Sequence, residues 1–115
     1  MKKTDGIPSY DSQASEVGFP LGGVGTGNVS LGARGDLRDW EIFNSPAKGN
    51  NLPNTFFAIR TQTADDDPVV RVIEGPTQSP HIRSHGYHPS TSIGLPRFAK
   101  STLHGEYPLV TIDFE

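Results

Sequence analysis

The residues best suited to chemistry lie in one run, Arg34-Gly35-Asp36-Leu37-Arg38-Asp39-Trp40-Glu41-Ile42-Phe43-Asn44, which holds the only tryptophan of the chain and five charges of both signs. An aromatic face beside planar hydrogen-bonding side chains suits a sugar, because a pyranose ring offers C–H faces and hydroxyl edges. Arg34, Asp36, Arg38, Asp39, Trp40, Glu41 and Asn44 are therefore the candidates for contact with a substrate or a neighbouring domain. Glycoside hydrolysis needs two carboxylates placed across the scissile bond. Asp36, Asp39 and Glu41 qualify by type. On one strand Asp39 and Glu41 would stand about 7 Å apart, but nothing in the sequence places a sugar between them. The plainer alternative spends Trp40 and Phe43 as core or interface anchors and lets the charges pair across a turn.

Other motifs carry less. Gly22-Gly23-Val24-Gly25-Thr26-Gly27-Asn28 is rich in glycine, but a dinucleotide fingerprint needs a glycine in the sixth place and a helix after it. Counted from Gly23, that place is Asn28, and the residues after it are strand-like. A P-loop needs Lys and Ser or Thr after its last glycine, where this chain has Asn28 and Val29. The glycines are better explained by a backbone that takes positive φ or packs closely on another surface. His81, His85 and His88 have the four-then-three spacing of ligands on a helix, but Pro80, Gly86 and Pro89 oppose a helix and no carboxylate lies among the three. A solvated loop is the better reading. Asp65-Asp66-Asp67 lacks the spaced acids, the central glycine and the closing Glu of an EF-hand, which leaves a hairpin tip. Arg34-Gly35-Asp36 suits a turn, and the sequon Asn28-Val29-Ser30 matters only in a secretory compartment.

The elements that position these residues are short. Gly and Pro together supply 23 of 115 residues, about twice ordinary usage, which excludes helical bundles and long amphipathic helices. Residues 109–114 alternate cleanly, with Val110, Ile112 and Phe114 on one face and Leu109, Thr111 and Asp113 on the other, as in a half-buried strand. Residues 55–61 and 69–74 are β-branched and aromatic runs joined by the polar connection 64–68, a hairpin pattern. Residues 28–31 form a further strand that ends in the turn Gly32-Ala33-Arg34-Gly35. Residues 36–44 read as a strand with Trp40 and Ile42 on one face and Asp39 and Glu41 on the other. A helix there would present a stripe only half apolar. Residues 77–96 read as a long exposed loop and residues 1–16 as a flexible lead-in.

The apolar share of 33% is low, and the net charge of −3 gives no electrostatic footprint for nucleic acid or an anionic membrane. Without cysteine there are no disulfides, thiolate metal sites or cysteine nucleophiles. The basic start has no apolar region behind it, and no stretch approaches the roughly 20 apolar residues of a membrane span. A cytoplasmic chain is the expectation.

Several blocks in order, Gly18-Phe19-Pro20-Leu21-Gly22-Gly23-Val24-Gly25-Thr26-Gly27, Leu31-Gly32-Ala33-Arg34-Gly35-Asp36 and Asp39-Trp40-Glu41-Ile42-Phe43-Asn44, resemble the start of glycoside hydrolase family 116, which includes non-lysosomal glucosylceramidases and β-glucosidases. Phe57-Ala58-Ile59-Arg60, Arg71-Val72-Ile73-Glu74-Gly75-Pro76, Gly94-Leu95-Pro96-Arg97-Phe98 and Tyr107-Pro108-Leu109 continue the resemblance to about residue 114. It implies an N-terminal β-sandwich packed on a C-terminal helical barrel, and retaining hydrolysis of β-glucosides by a Glu nucleophile and an Asp acid/base in that barrel, without metal or organic cofactor. No position here matches the catalytic motifs. The expectation is thus an all-β, antiparallel β-sandwich segment over residues 17–115, an incomplete part of a larger sandwich domain and non-catalytic by itself. Its partners would be the helical catalytic domain and, through that domain, a β-glucoside. A free-standing carbohydrate-binding or interaction module with Trp40 as its platform is the alternative.

Overall fold

Leu109–Phe114 forms a strand over the span its alternation predicts, with Val110, Ile112 and Phe114 half-buried and Leu109, Thr111 and Asp113 exposed. A computed structural model describes residues 6–77 and 94–115 of the chain. It contains eight strands: β1 Ser9–Asp11, β2 Gly18–Leu21, β3 Asn28–Gly32, β4 Leu37–Glu41, β5 Ala58–Thr61, β6 Val69–Val72, β7 Ser101–Glu106 and β8 Leu109–Phe114. All pairings are antiparallel. They make three sheets, ordered β1-β7-β8, β2-β3-β4 and β5-β6. No helix occurs among the described residues, so none there is long and apolar enough to cross a membrane. The all-β, antiparallel expectation holds.

Three strands go beyond the sequence reading. Ser9–Asp11, inside the expected lead-in, pairs with β7 in the register Tyr10↔Leu103. All three of its residues are exposed, so main-chain pairing holds it and no apolar pattern marks it. β2 carries Pro20, which lacks an N–H and fits a sheet only at an edge or a bulge. The order β2-β3-β4 gives it that edge. In β7 the inward residue Ser101 is polar and buried, and its hydroxyl donates to the carbonyl of Ala33 at 3.2 Å. The β5–β6 hairpin is shorter than expected at both ends, although Ile73 N still donates to Phe57 O at 2.8 Å just outside it. Most of the loop expected over 77–96, with His81, His85 and His88, lies outside the described residues.

The buried apolar side chains among the described residues are Ala33, Val72 and Leu103. Around them the Phe98 and Phe114 rings pack at 5.1 Å between centroids. Phe19 of β2 lies against Gly105 of β7, where an added Cβ would come within 3.3 Å of the ring. This sandwich-like contact joins two sheets. The interior is small for so many strands, and Val24, Phe43, Phe57, Tyr107 and Leu109 are largely exposed.

Candidate functional site

The run 34–44 divides between two ends of one sheet. In the middle, β4 carries an irregularity: Asn28 pairs with Glu41 and Ser30 with Arg38, so two steps along β3 oppose three along β4. The extra residue brings Asp39 to φ 51°, a left-handed conformation that Asp tolerates better than most residues. Arg38 and Asp39 thereby both meet Ser30, with Arg38 Nε 3.6 Å from Asp39 Oδ2. Alternation sets Trp40 on the opposite face, half-buried, its indole Nε1 enclosed and without a hydrogen-bond partner among the described residues.

The Asp39 and Glu41 carboxylates fasten the following loop. Asp39 is 5% exposed. Its Oδ1 accepts from Gly49 N at 2.6 Å while its own N–H donates to Asn50 O at 2.9 Å. Glu41 accepts from Ala47 N at 3.3 Å and from Lys48 Nζ at 2.9 Å. Burial pulls the Asp39 carboxyl upward. The Gly49 N–H, the Ser30 hydroxyl and the charges of Arg38 and Lys48 outweigh it, and the group titrates below its ordinary value. Glu41 is also lowered, first by its hydrogen bond to Lys48 and then by the Ala47 N–H, and Lys48 is raised by the same contact. Both carboxylates are engaged by donors from residues 47–49.

Arg34 and Asp36 lie in a different setting, the β3–β4 turn. Gly35 closes it at φ 91°, with Gly35 N donating to Gly32 O at 2.9 Å. Arg34 Nη1 donates to Glu74 Oε2 at 2.5 Å, and Arg97 Nε donates to the same oxygen at 3.0 Å. Asp36 Oδ1 is 3.5 Å from Arg34 Nε. The side chains of Arg34, Glu74 and Arg97 are only 14%, 6% and 8% exposed, and two cations balance two anions. Main-chain bonds run alongside: Gly75 N to Arg34 O at 2.7 Å and Phe98 N to Glu74 O at 3.0 Å. The turn thus ties the β2-β3-β4 sheet to the segments leaving β6 and entering β7. Glu74 and Arg97 were not among the sequence candidates. Their one signal is that both sit in the family-like blocks Arg71–Pro76 and Gly94–Phe98.

At the far end of the sheet the glycine run makes the β2–β3 turn, with Gly25 and Gly27 at φ 73° and 76°. A Cβ on Gly27 would lie 2.5 Å from Glu41 O and 3.0 Å from Ile42 Cα, so the turn presses on the exit of β4. Positive φ and close approach, the expected reasons for glycine, both apply. Past that contact Phe43 and Asn44 each take φ 53°. Phe43 is 92% exposed and Val24, on the neighbouring turn, fully so. Phe43 is therefore no core anchor among the described residues. It stands outward, held there by backbone that a non-glycine residue adopts at a cost of about 1–3 kcal/mol.

The family model described as beta-glucosidase 2, glycosyl-hydrolase family 116 N-term, matches residues 18–115. The chain belongs to this family. The match opens on Gly18, the first residue of β2, and takes in every candidate from Arg34 to Asn44 as well as Glu74 and Arg97. No curated protein matches the chain. Within the family 116 N-terminal region, then, the candidate run serves as two fastenings and one exposed end. Among the described residues no cluster of three or more His, Asp and Glu side chains could hold a metal ion.

Proposed function

We propose that the chain is the leading, non-catalytic part of the β-sandwich domain of a β-glucosidase or glucosylceramidase-type hydrolase. The parent enzyme cleaves β-glucosidic bonds with retention, through a Glu nucleophile and an Asp acid/base on a helical domain. The family match over residues 18–115 carries this reading. Two observations support it. Asp36, Asp39 and Glu41, the carboxylates suited by type to hydrolysis, are each occupied by donors. Val24 and Phe43 present apolar surface on adjoining turns at one end of a sheet, the form of an interface anchor. The helical domain would sit on that end. The absence of cysteine suits the cytoplasm as the place of action.

The test is hydrolysis of an aryl β-glucoside. The chain alone is expected to leave it intact, and the parent carrying the helical domain to cleave it with retention. Phe43→Asp in the parent should weaken cohesion between the two domains, read as separate melting transitions or as easier proteolytic separation. Cleavage by the chain alone, or a parent indifferent to Phe43→Asp, overturns the proposal.

A further inference from the structure

The β5–β6 hairpin is a sheet by itself, and among the described residues β6 is the one strand that pairs with β5. All four residues of β5 are exposed. Ile73 N donates to Phe57 O, and alternation along the register then makes Ile59↔Arg71 and Thr61↔Val69 the bonded pairs. The main-chain N–H and C=O groups of Ala58 and Arg60 consequently point away from β6, along an open edge. The outer side of β6 is engaged, since Val72 N donates to Pro96 O at 2.8 Å. Phe57, Ile59 and Val69 share one face of the hairpin by spacing and register, and they are 65%, 44% and 47% exposed.

Proteins guard strand edges with proline, charge, shortness or a covering loop. β2 has Pro20, β1 has three residues, Asn50 takes the Asp39 N–H of β4, and β8 carries Asp113. Residues 54–64, by contrast, hold no proline, no glycine, no acid and a single charge, Arg60. The Arg60 guanidinium lies along its own strand, with Nη2 donating to Gln62 Oε1 at 2.6 Å.

We propose that this edge is a self-association site, at which β5 of one copy pairs antiparallel with β5 of a second. Two identical strands paired in this way are related by a two-fold axis, so the contact closes at a dimer. The charge pattern selects the register. Centred on Ala58, it sets Ala58 opposite its own counterpart, Ile59 opposite Phe57 of the second copy and Arg60 opposite Phe56 of the second copy. Each arginine then meets an aromatic residue, a favourable neighbour for a cation, and the two arginines stay apart. The apolar rows of the two hairpins join into one face. Registers centred nearer Arg60 bring the like charges together. One strand edge makes a small interface, below about 1,200 Å², so the dimer dissociates in the micromolar range. This inference does not depend on the hydrolase reading, because it concerns the chain alone.

Sedimentation velocity of the full chain, from low micromolar to millimolar concentration, tests this. A reversible monomer–dimer equilibrium is expected. Ala58→Pro removes an N–H that serves the second copy and none that serves β6, and it should weaken the dimer about tenfold or more. If that variant does not fold, Ile59→Lys takes its place. It adds a positive charge from each copy to the joined apolar face at an exposed position, and the same weakening is expected. A chain that stays monomeric throughout, an assembly that grows past two copies, or a dimer unchanged by the substitution overturns the proposal.

Discussion

The two ends of the β2-β3-β4 sheet are built from the same short, polar, glycine-rich sequence but do opposite things. At the Ala33–Asp36 end a turn is driven inward. Its carbonyls accept from Ser101 and Gly75, its arginine meets a buried carboxylate, and its charges balance. At the Gly22–Gly27 and Ile42–Asn44 end the backbone is equally constrained, yet it holds Val24 and Phe43 out. Constrained geometry therefore does not by itself mark a functional surface. What separates the ends is whether the constraint hides polar groups that have partners or displays apolar ones that have none.

Breaking the inner end should have the largest effect. Glu74→Ala leaves Arg34 and Arg97 enclosed without their shared carboxylate, and the expected loss is about 3–5 kcal/mol of unfolding free energy by denaturant titration. A loss under 1 kcal/mol would show that the cluster is solvated and the contrast false. Next comes the backbone of the outer end. Gly27→Ala meets both an unfavourable φ and the carbonyl of Glu41, and about 1–3 kcal/mol should be lost.

Between the two ends, Asp39→Ala removes the acceptor of the Gly49 N–H and should cost about 1–1.5 kcal/mol at neutral pH. The sign of its pH dependence is fixed. Because the folded group titrates below its ordinary value of 3.8, its contribution is complete above that value and disappears as pH falls through the lower folded one. Wild type and Asp39→Ala should therefore converge in acid, and curves that stay parallel below pH 3.8 would show that the carboxylate is not the cause. The smallest effect belongs to Phe43→Ser with Val24→Ser. Both side chains are exposed, so the stability of the chain should change by no more than about 0.5 kcal/mol. A clear loss would mean that this end is internally packed after all.

The sequence was legible where pattern and burial coincide. β8 is readable to the residue because its apolar positions alternate and face one way, and the β5–β6 hairpin is readable because polar residues separate two β-branched runs. β2 and β7 were hidden because Pro20 and Ser101 break the usual rules for strands. Sheet order excuses the first, and the carbonyl of Ala33, 68 residues away, accommodates the second. In the candidate run, the shared face of Asp39 and Glu41 followed from alternation. The addition of Arg38 to that face did not, since it depends on a left-handed Asp39. The division of the run between a buried turn and an exposed end was beyond local reading. Glu74 and Arg97, which decide the fate of Arg34, stand 40 and 63 positions further along the chain.

That cluster also governs how the molecule comes into being. The bond from Arg34 to Glu74 spans 40 residues and the one from Ser101 to Ala33 spans 68. Loops of that length must close before their contacts repay the lost freedom, and chains with such distant pairings fold in roughly milliseconds to seconds rather than microseconds. During synthesis the β2-β3-β4 hairpins can form early, but the turn between β3 and β4 has nothing to grip until Glu74 and Gly75 have left the ribosome, and its Ala33 carbonyl waits longer still, for Ser101.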